Sequence, residues 1–159
     1  MVKRKKNLPF IILVPDTGFL CELAEEVNKT ADMMIKRFWL SDKPEPVTLL
    51  FKKNKKIGNY ITSGSDKIAI RMDTLDILKE IIFIAGPVIS TSATVSGDKN
   101  ISPKNIAEVP DIIRTGVDLV LDLEKDLPGI SSTIIDVSSS KPVIIREGIV
   151  KKEDLKDFL

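Results

Sequence analysis

Apolar and polar positions along the chain switch repeatedly between two periods. "PFIILV", residues 9–14, is a continuous apolar run ended by Pro15 and Asp16, the pattern of a short buried strand. In "FLCELAEEVNKTADMMIKRFW", Leu20, Leu23, Ala24, Val27, Ala31, Met34, Ile35 and Phe38 step by three or four, which is a helical stripe. Asn28-Lys29-Thr30 is expected to break it in two, with Thr30 capping the second helix. "SDKPEP" reads as a loop, "VTLLF" as a strand, "KKNKKIGN" as a basic turn and "DKIAIRM" as a strand. "TLDILKEIIFIAG" predicts a helix closed by Gly86, where a left-handed residue is expected. After the short strand "PVIS" comes a loop rich in hydroxyls, then a helix near residues 103–115. Three strands follow, "VDLVL", "STIIDV" and "PVIIRE", and an exposed final helix, "KKEDLKDF". Strands and helices interleave throughout, which predicts one α/β domain over residues 1–159.

Composition narrows the chemistry. With 159 residues the chain can bury a sizeable core. The formal net charge of +1 names no partner, and the one local exception is "KRKK" at residues 3–6. That run reads either as a solvated terminus or as a phosphate contact. Cys21 is the single cysteine, so an intrachain disulfide and CxxC motifs are excluded. There is no histidine, which removes Ser-His-Asp and Cys-His catalysis and His-ligated zinc. No apolar run approaches the roughly 18 residues of a membrane span. The basic-then-apolar start imitates a signal peptide, but Pro15 and Asp16 cut it short and no small-residue cleavage site follows promptly, so a cytoplasmic protein without membrane association is expected.

Phosphate-binding motifs of the GxxxxGK[ST] and GxGxxG types are missing. What remains is Arg71 within a strand, "STSAT" at 90–94, "SST" at 131–133 and Arg146 at a strand end. Taken singly, each arginine fits a surface ion pair and each hydroxyl a turn or cap. An arginine beside a hydroxyl loop also suits a carboxylate or phosphate held bidentately.

The order of the pieces adds to this. "FW…PEPVTLLF", "IAIRM", "PVISTSATVSG", "VDLVLD", "SSTIID" and "PVIIREG" resemble, in sequence and spacing, blocks of the YrdC/Sua5 family that read approximately FWPGPLT, vavRiP, PliaTSANxSG, vdlildgG, pSTvvd and ilReG. The resemblance runs from about residue 4 to 150. It implies a YrdC/RibB-like twisted mixed sheet flanked by helices, with a concave basic face. It also implies synthesis of threonylcarbamoyl-AMP from L-threonine, bicarbonate and ATP with Mg²⁺, for modification of tRNA position 37. Double-stranded RNA or tRNA is a further implied partner. A threonine carbamate attacking the ATP α-phosphate needs positioning and cationic stabilisation more than a histidine.

Carried over residue by residue, the resemblance implies threonine contacts at Arg71, Ser92 and Ser132. It implies nucleotide contacts at Arg4, Lys67, Thr94, Ser102 and Arg146, and no metal ligand. The chain departs from the pattern at several places. Thr94 replaces the asparagine of TSAN, Lys67 stands where small hydroxyl residues are usual, Leu13 replaces a common histidine, and "FWLSDKPEPVT" replaces FWPGPLT. The family's opening PTDTvYGL segment has no counterpart, and "VPDTGF" follows the wrong strand to be it. The expectation is therefore a sheet lacking its first strand, with an edge that a second copy could complete. Two functions stay open: a synthase, or a catalytically impaired paralogue that binds nucleotide or double-stranded RNA, with the YciO-type paralogues as an alternative nearer match. A reading frame that begins upstream is a third explanation of the missing segment.

Overall fold

The computed structural model describes residues 10–95 and 102–158. Six strands form one mixed sheet in the order β4-β1-β3-β2-β5-β6. They are β1 (Ile11–Val14), β2 (Val47–Lys52), β3 (Lys67–Met72), β4 (Val88–Ser90), β5 (Thr133–Asp136) and β6 (Val143–Arg146). β1 runs parallel to β3 and β2 parallel to β5, while β1–β4, β2–β3 and β5–β6 are antiparallel. The helices are short: α1 (Leu20–Leu23), α2 (Lys29–Met34), α3 (Asn59–Thr62), α4 (Asp76–Ala85) and α5 (Asp111–Arg114). None of the described helices is long and apolar enough to cross a membrane.

Strand side chains alternate between faces, and here the alternation separates core from site. Ile12, Val14, Val47, Leu49, Phe51, Ile68, Ile70 and Ile135 point to one side and pack with α1, α2 and the π-helical turn Ile35–Trp39. Trp39 Nε1 donates to the Val47 carbonyl at 2.8 Å, pinning the end of that turn to the start of β2. The other parity carries Leu13, Thr48, Lys67, Ala69, Arg71, Ile134 and Asp136. Leu13, Ala69 and Ile82 are buried yet stand outside the main core, and α4, which carries Ile82, lies against β1.

Several local expectations change. The long helical stripe breaks earlier than its spacing predicts, because Ala24 turns extended and bridges Lys53. Asn28, not Thr30, caps α2: its side-chain oxygen accepts from Ala31 N at 2.9 Å, while its amide donates to the Val137 carbonyl at 2.8 Å. Thr30 instead donates to the Ser140 carbonyl. Gly86 does take a positive φ of 79°, but its ψ of −173° is extended rather than left-handed helical. The helix expected near 103–115 is two pieces, a 3-10 turn Ile106–Glu108 and α5. "VDLVL" is not a strand: it pairs with no strand of the sheet, and Leu119 is 72% exposed. The final segment is a 3-10 helix, Lys152–Phe158, and it is not simply exposed, since Leu155 is fully buried in the core.

Candidate functional site

Arg71 sits on the face of β3 opposite the core. Leu49 faces Ile70 across the β2–β3 pair, so the register continued by one residue sets Thr48 beside Arg71. Thr48 pairs in turn with Ile134 of β5, and Ile134 with Arg146 of β6. One row across four strands therefore reads Arg71, Thr48, Ile134, Arg146.

Arg146 joins this row only because of a bulge. Ile144 opposes Ile135 and packs on the core, so simple alternation would send Arg146 to the core side. The register shifts between Ile134 and Ile135, leaving Ile145 as the extra residue and Arg146 opposite Ile134. A one-residue insertion of this kind re-aims a side chain to the other face.

Hydrogen bonds then tie two members of the row, Thr48 and Arg146, to Ser132. Arg146 donates from Nε and Nη2 to the Ser132 carbonyl at 3.2 and 2.7 Å, and Nη2 reaches the Ser132 hydroxyl at 3.4 Å. The Thr48 and Ser132 hydroxyls lie 2.8 Å apart, both buried. Burial, and then the charge of Arg71, hold the Arg146 guanidinium below its ordinary pKa. It remains a cation at neutral pH. Arg71 is neutralised by Asp73, a buried carboxylate that also accepts from Leu75 N at 3.0 Å. Among the described residues Arg146 has no carboxylate partner, and the buried Nε of Arg71 has no acceptor. Two guanidinia with spare donors beside a hydroxyl make a site for an anion.

The loop after β6 is fastened to the same place. Thr133 Oγ1, fully buried, donates to the Val150 carbonyl at 2.6 Å and accepts from Gly148 N and Val150 N at 3.0 and 3.1 Å. Gly148 lies so close that a Cβ there would meet the Ser131 carbonyl oxygen at 2.2 Å. This explains a glycine two residues after Arg146.

The other candidates are placed as follows. Ser102 bonds the Ser131 hydroxyl at 3.3 Å, next to Ser132 in the chain. Lys67 shares the face of Arg71 near the far end of β3, where its ammonium meets Asp136 at 2.5 Å. Ser92 and Thr94 bond each other at 3.0 Å in the loop after edge strand β4 and make no side-chain hydrogen bond to the Arg71–Ser132–Arg146 group. Arg4 lies outside the described residues. Thr48 and Asp73 were not singled out from the sequence, and Thr133 and Gly148 stood there only as parts of the "SST" and "REG" stretches, without a role of their own. Their signals were a lone hydroxyl inside an apolar strand, an acid two residues after a strand arginine, the second hydroxyl of "SST" and the glycine of "REG".

Comparison with known proteins follows the same blocks. A model of the Sua5, YciO and YrdC proteins, described as "Telomere recombination", matches residues 1–148. The chain is similar to a threonylcarbamoyl-AMP synthase of Pyrococcus abyssi, with 30% identity over 157 residues, 98% of this chain and 44% of that one. It superposes on a crystal structure of P. abyssi Sua5 complexed with L-threonine with a TM-score of 0.86 at 30% identity, again covering 98% of this chain and 44% of the other. It shares its fold with E. coli YciO, with a TM-score of 0.80 at 22% identity over 98% of this chain and 71% of that one. The chain thus spans less than half the length of the Pyrococcus relative.

Proposed function

The chain belongs to the Sua5–YciO–YrdC family, and from that premise we propose that its Arg71–Thr48–Ser132–Arg146 row binds L-threonine and ATP for synthesis of threonylcarbamoyl-AMP. The observation that carries the reading is the Arg146 guanidinium bonded to Ser132, with Arg71, whose buried Nε has no acceptor among the described residues, in the same row and close enough for its charge to be felt at Arg146. Arg71 and Ser132 take the threonine carboxylate, and Arg146 with Ser102 takes the nucleotide. Ser92, Thr94, Lys67 and Arg4 are proposed as outer contacts to threonine and phosphates.

The reaction this reading assigns is a displacement. L-threonine and bicarbonate condense to a carbamate with loss of water. A carbamate oxygen attacks the ATP α-phosphorus, the bond to the β-phosphate oxygen breaks, and pyrophosphate leaves. The row's contribution is to hold the two anions in line and to offset their mutual repulsion. Mg²⁺ finds no cage of protein ligands: among the described residues no cluster of three or more acids could hold a metal. Asp73 and Asp136 are already held by Arg71 and Lys67.

An RNA-binding reading draws less support from the basic turn. Lys52 pairs with Glu25, and Lys53 bonds the Ile57 carbonyl and the Asn59 side chain.

Calorimetry with L-threonine and with ATP, and pyrophosphate release in the presence of both plus bicarbonate, test the proposal. Threonine binding lost in Arg71→Ala and ATP binding lost in Arg146→Ala are expected. A folded protein that binds neither compound at millimolar concentration would overturn it.

A further inference from the structure

We propose that Thr48 is a positioning residue that fixes the direction of the Ser132 hydroxyl and so makes the row a donor-only site, selective for a carboxylate over the corresponding amide. The inference deepens the reading above and rests on it for the identity of the ligand.

The argument is one of proton accounting. Thr48 is completely buried, and its hydroxyl has a single hydrogen-bond partner among the described residues, the Ser132 hydroxyl at 2.8 Å. Each hydroxyl carries one proton and two lone pairs. If Ser132 donated to Thr48, the Thr48 proton would be buried without an acceptor, which is a large cost for a neutral group. If Thr48 donates to Ser132, its proton is satisfied. The Ser132 oxygen then accepts from Thr48 on one side and from Arg146 Nη2, at 3.4 Å, on the other. Arginine can only donate, so the second bond has a fixed direction. Both lone pairs of Ser132 are then engaged, and its own proton is the group left for a ligand.

The same accounting gives selectivity. Arg71 beside Thr48 and Arg146 beyond it present only N–H groups, and Ser132 now presents only O–H. A carboxylate, which only accepts, matches every one of these. A primary amide places an NH₂ against donors and leaves at least one pair unmatched. Sites built on fixed hydrogen bonding discriminate strongly against a ligand with the wrong pattern. Thr48 touches no ligand in this scheme: it acts through Ser132.

Three single variants, one double variant and two measurements test it. The first measurement is binding of L-threonine and of L-threoninamide by calorimetry. Wild type is expected to favour threonine by at least about tenfold. Thr48→Val, which keeps the shape but not the donor, frees Ser132 to rotate and accept, and should shrink that preference by about fivefold. Thr48→Ser, which keeps the donor, should restore it. The second measurement is the urea midpoint without ligand. Ser132→Ala strands the buried Thr48 proton, so it should lower the midpoint more than Thr48→Val does, and should add little in the Thr48→Val background. A midpoint lowered more by Thr48→Val than by Ser132→Ala would overturn the proton direction. A threonine-to-threoninamide ratio unchanged in Thr48→Val would overturn the selectivity. Wild type that binds neither compound would overturn the threonine reading, while the midpoints would still decide how the two hydroxyls are ordered.

Discussion

Arg146 grips Ser132 by its backbone: two guanidinium N–H groups, Nε and Nη2, donate to one carbonyl oxygen at 3.2 and 2.7 Å. The carbonyl belongs to the residue whose hydroxyl faces the proposed ligand, so the arginine both carries the charge and sets the geometry of its neighbour. The bulge at Ile145 is what makes this reach possible.

A fork of this kind is not reproduced by lysine, whose ammonium is a point charge on a flexible stem. Arg146→Lys should therefore keep part of the nucleotide affinity but loosen Ser132, raising the threonine dissociation constant as well. Arg146→Ala should lose both and cost about 1–2 kcal/mol of stability, since hydrogen bonds from a charged donor are worth somewhat more than neutral ones. Urea unfolding and calorimetry on the two variants check this. Threonine affinity unchanged in Arg146→Lys would show that Ser132 is held by something else.

Thr133 is the clasp of the loop that follows. Its one hydroxyl serves the Val150 carbonyl and the amides of Gly148 and Val150. Thr133→Val keeps the volume and strands three buried backbone groups, so a loss of about 2–4 kcal/mol is expected. Gly148→Ala should be at least as damaging, because its Cβ would collide with the backbone of Ser131 and Ser132 rather than with a movable side chain. Thermal unfolding of both variants, with amide exchange at Val150, measures the effect. An unaltered Val150 protection factor in Thr133→Val would contradict the clasp.

The parts of the fold that the sequence announced are those where local pattern and final environment agree. "DKIAIRM" and "VTLLF" became adjacent central strands, since their apolar runs suit a sheet with a buried core on one side. The α/β class was legible for the same reason, whereas the mixed sheet was implied only by the family resemblance. "VDLVL" has the same composition but pairs with no strand of the sheet, and periodicity cannot show whether a partner is available. Leu155 looked like part of a charged surface helix because one buried leucine in "KKEDLKDF" makes no stripe. At the site, Arg71, Ser132 and Arg146 could be named from the resemblance; Arg146 bonds Ser132, and Arg71 stands in the same row of the sheet. The bulge that aims Arg146 depends on a single shift of register, which leaves no mark in "PVIIRE". Thr48 stayed hidden because a threonine inside a strand is ordinary until the hydroxyl it bonds, that of Ser132, is known.

Leu155 gives a test of the core that does not involve the site. It is fully buried within the main cluster, in a 3-10 helix whose Phe158 ring packs 6.1 Å from that of Phe38. Leu155→Ala should cost about 2–5 kcal/mol, the range for emptying such a position. Lys156→Ala, at an exposed neighbour, should cost less than about 0.5 kcal/mol. Denaturant unfolding of the pair decides whether the final helix is part of the cooperative core. Equal midpoints would mean that it is not.

Asp136 and Lys67 supply a prediction in pH. Asp136 Oδ2 meets the Lys67 ammonium at 2.5 Å, and its Oδ1 accepts from the Ser138 amide at 3.0 Å and the Ser138 hydroxyl at 2.7 Å. Burial by itself would raise the Asp136 pKa; the Lys67 and Ser138 hydrogen bonds, with the lysine charge, outweigh it and hold the carboxyl below its ordinary value. An aspartate in the unfolded chain titrates at about 3.9. A folded pKa below that value means that the folded state binds the proton more weakly than the unfolded one. The stabilisation is then fully present above about pH 3.9 and disappears as the pH falls through the folded pKa. The Lys67 side chain is 37% exposed, so solvent screening keeps the ion pair's worth to about 1 kcal/mol. Asp136→Asn should accordingly be about 1 kcal/mol less stable than wild type at pH 7. The two should converge on acidification, because protonation makes the wild-type carboxyl as neutral as the amide. Urea unfolding at a series of pH values between neutrality and the acid limit of the fold measures the gap. A gap that stays constant through that range would mean that the Asp136 charge contributes nothing and that its bonds to Ser138 alone hold the end of β5.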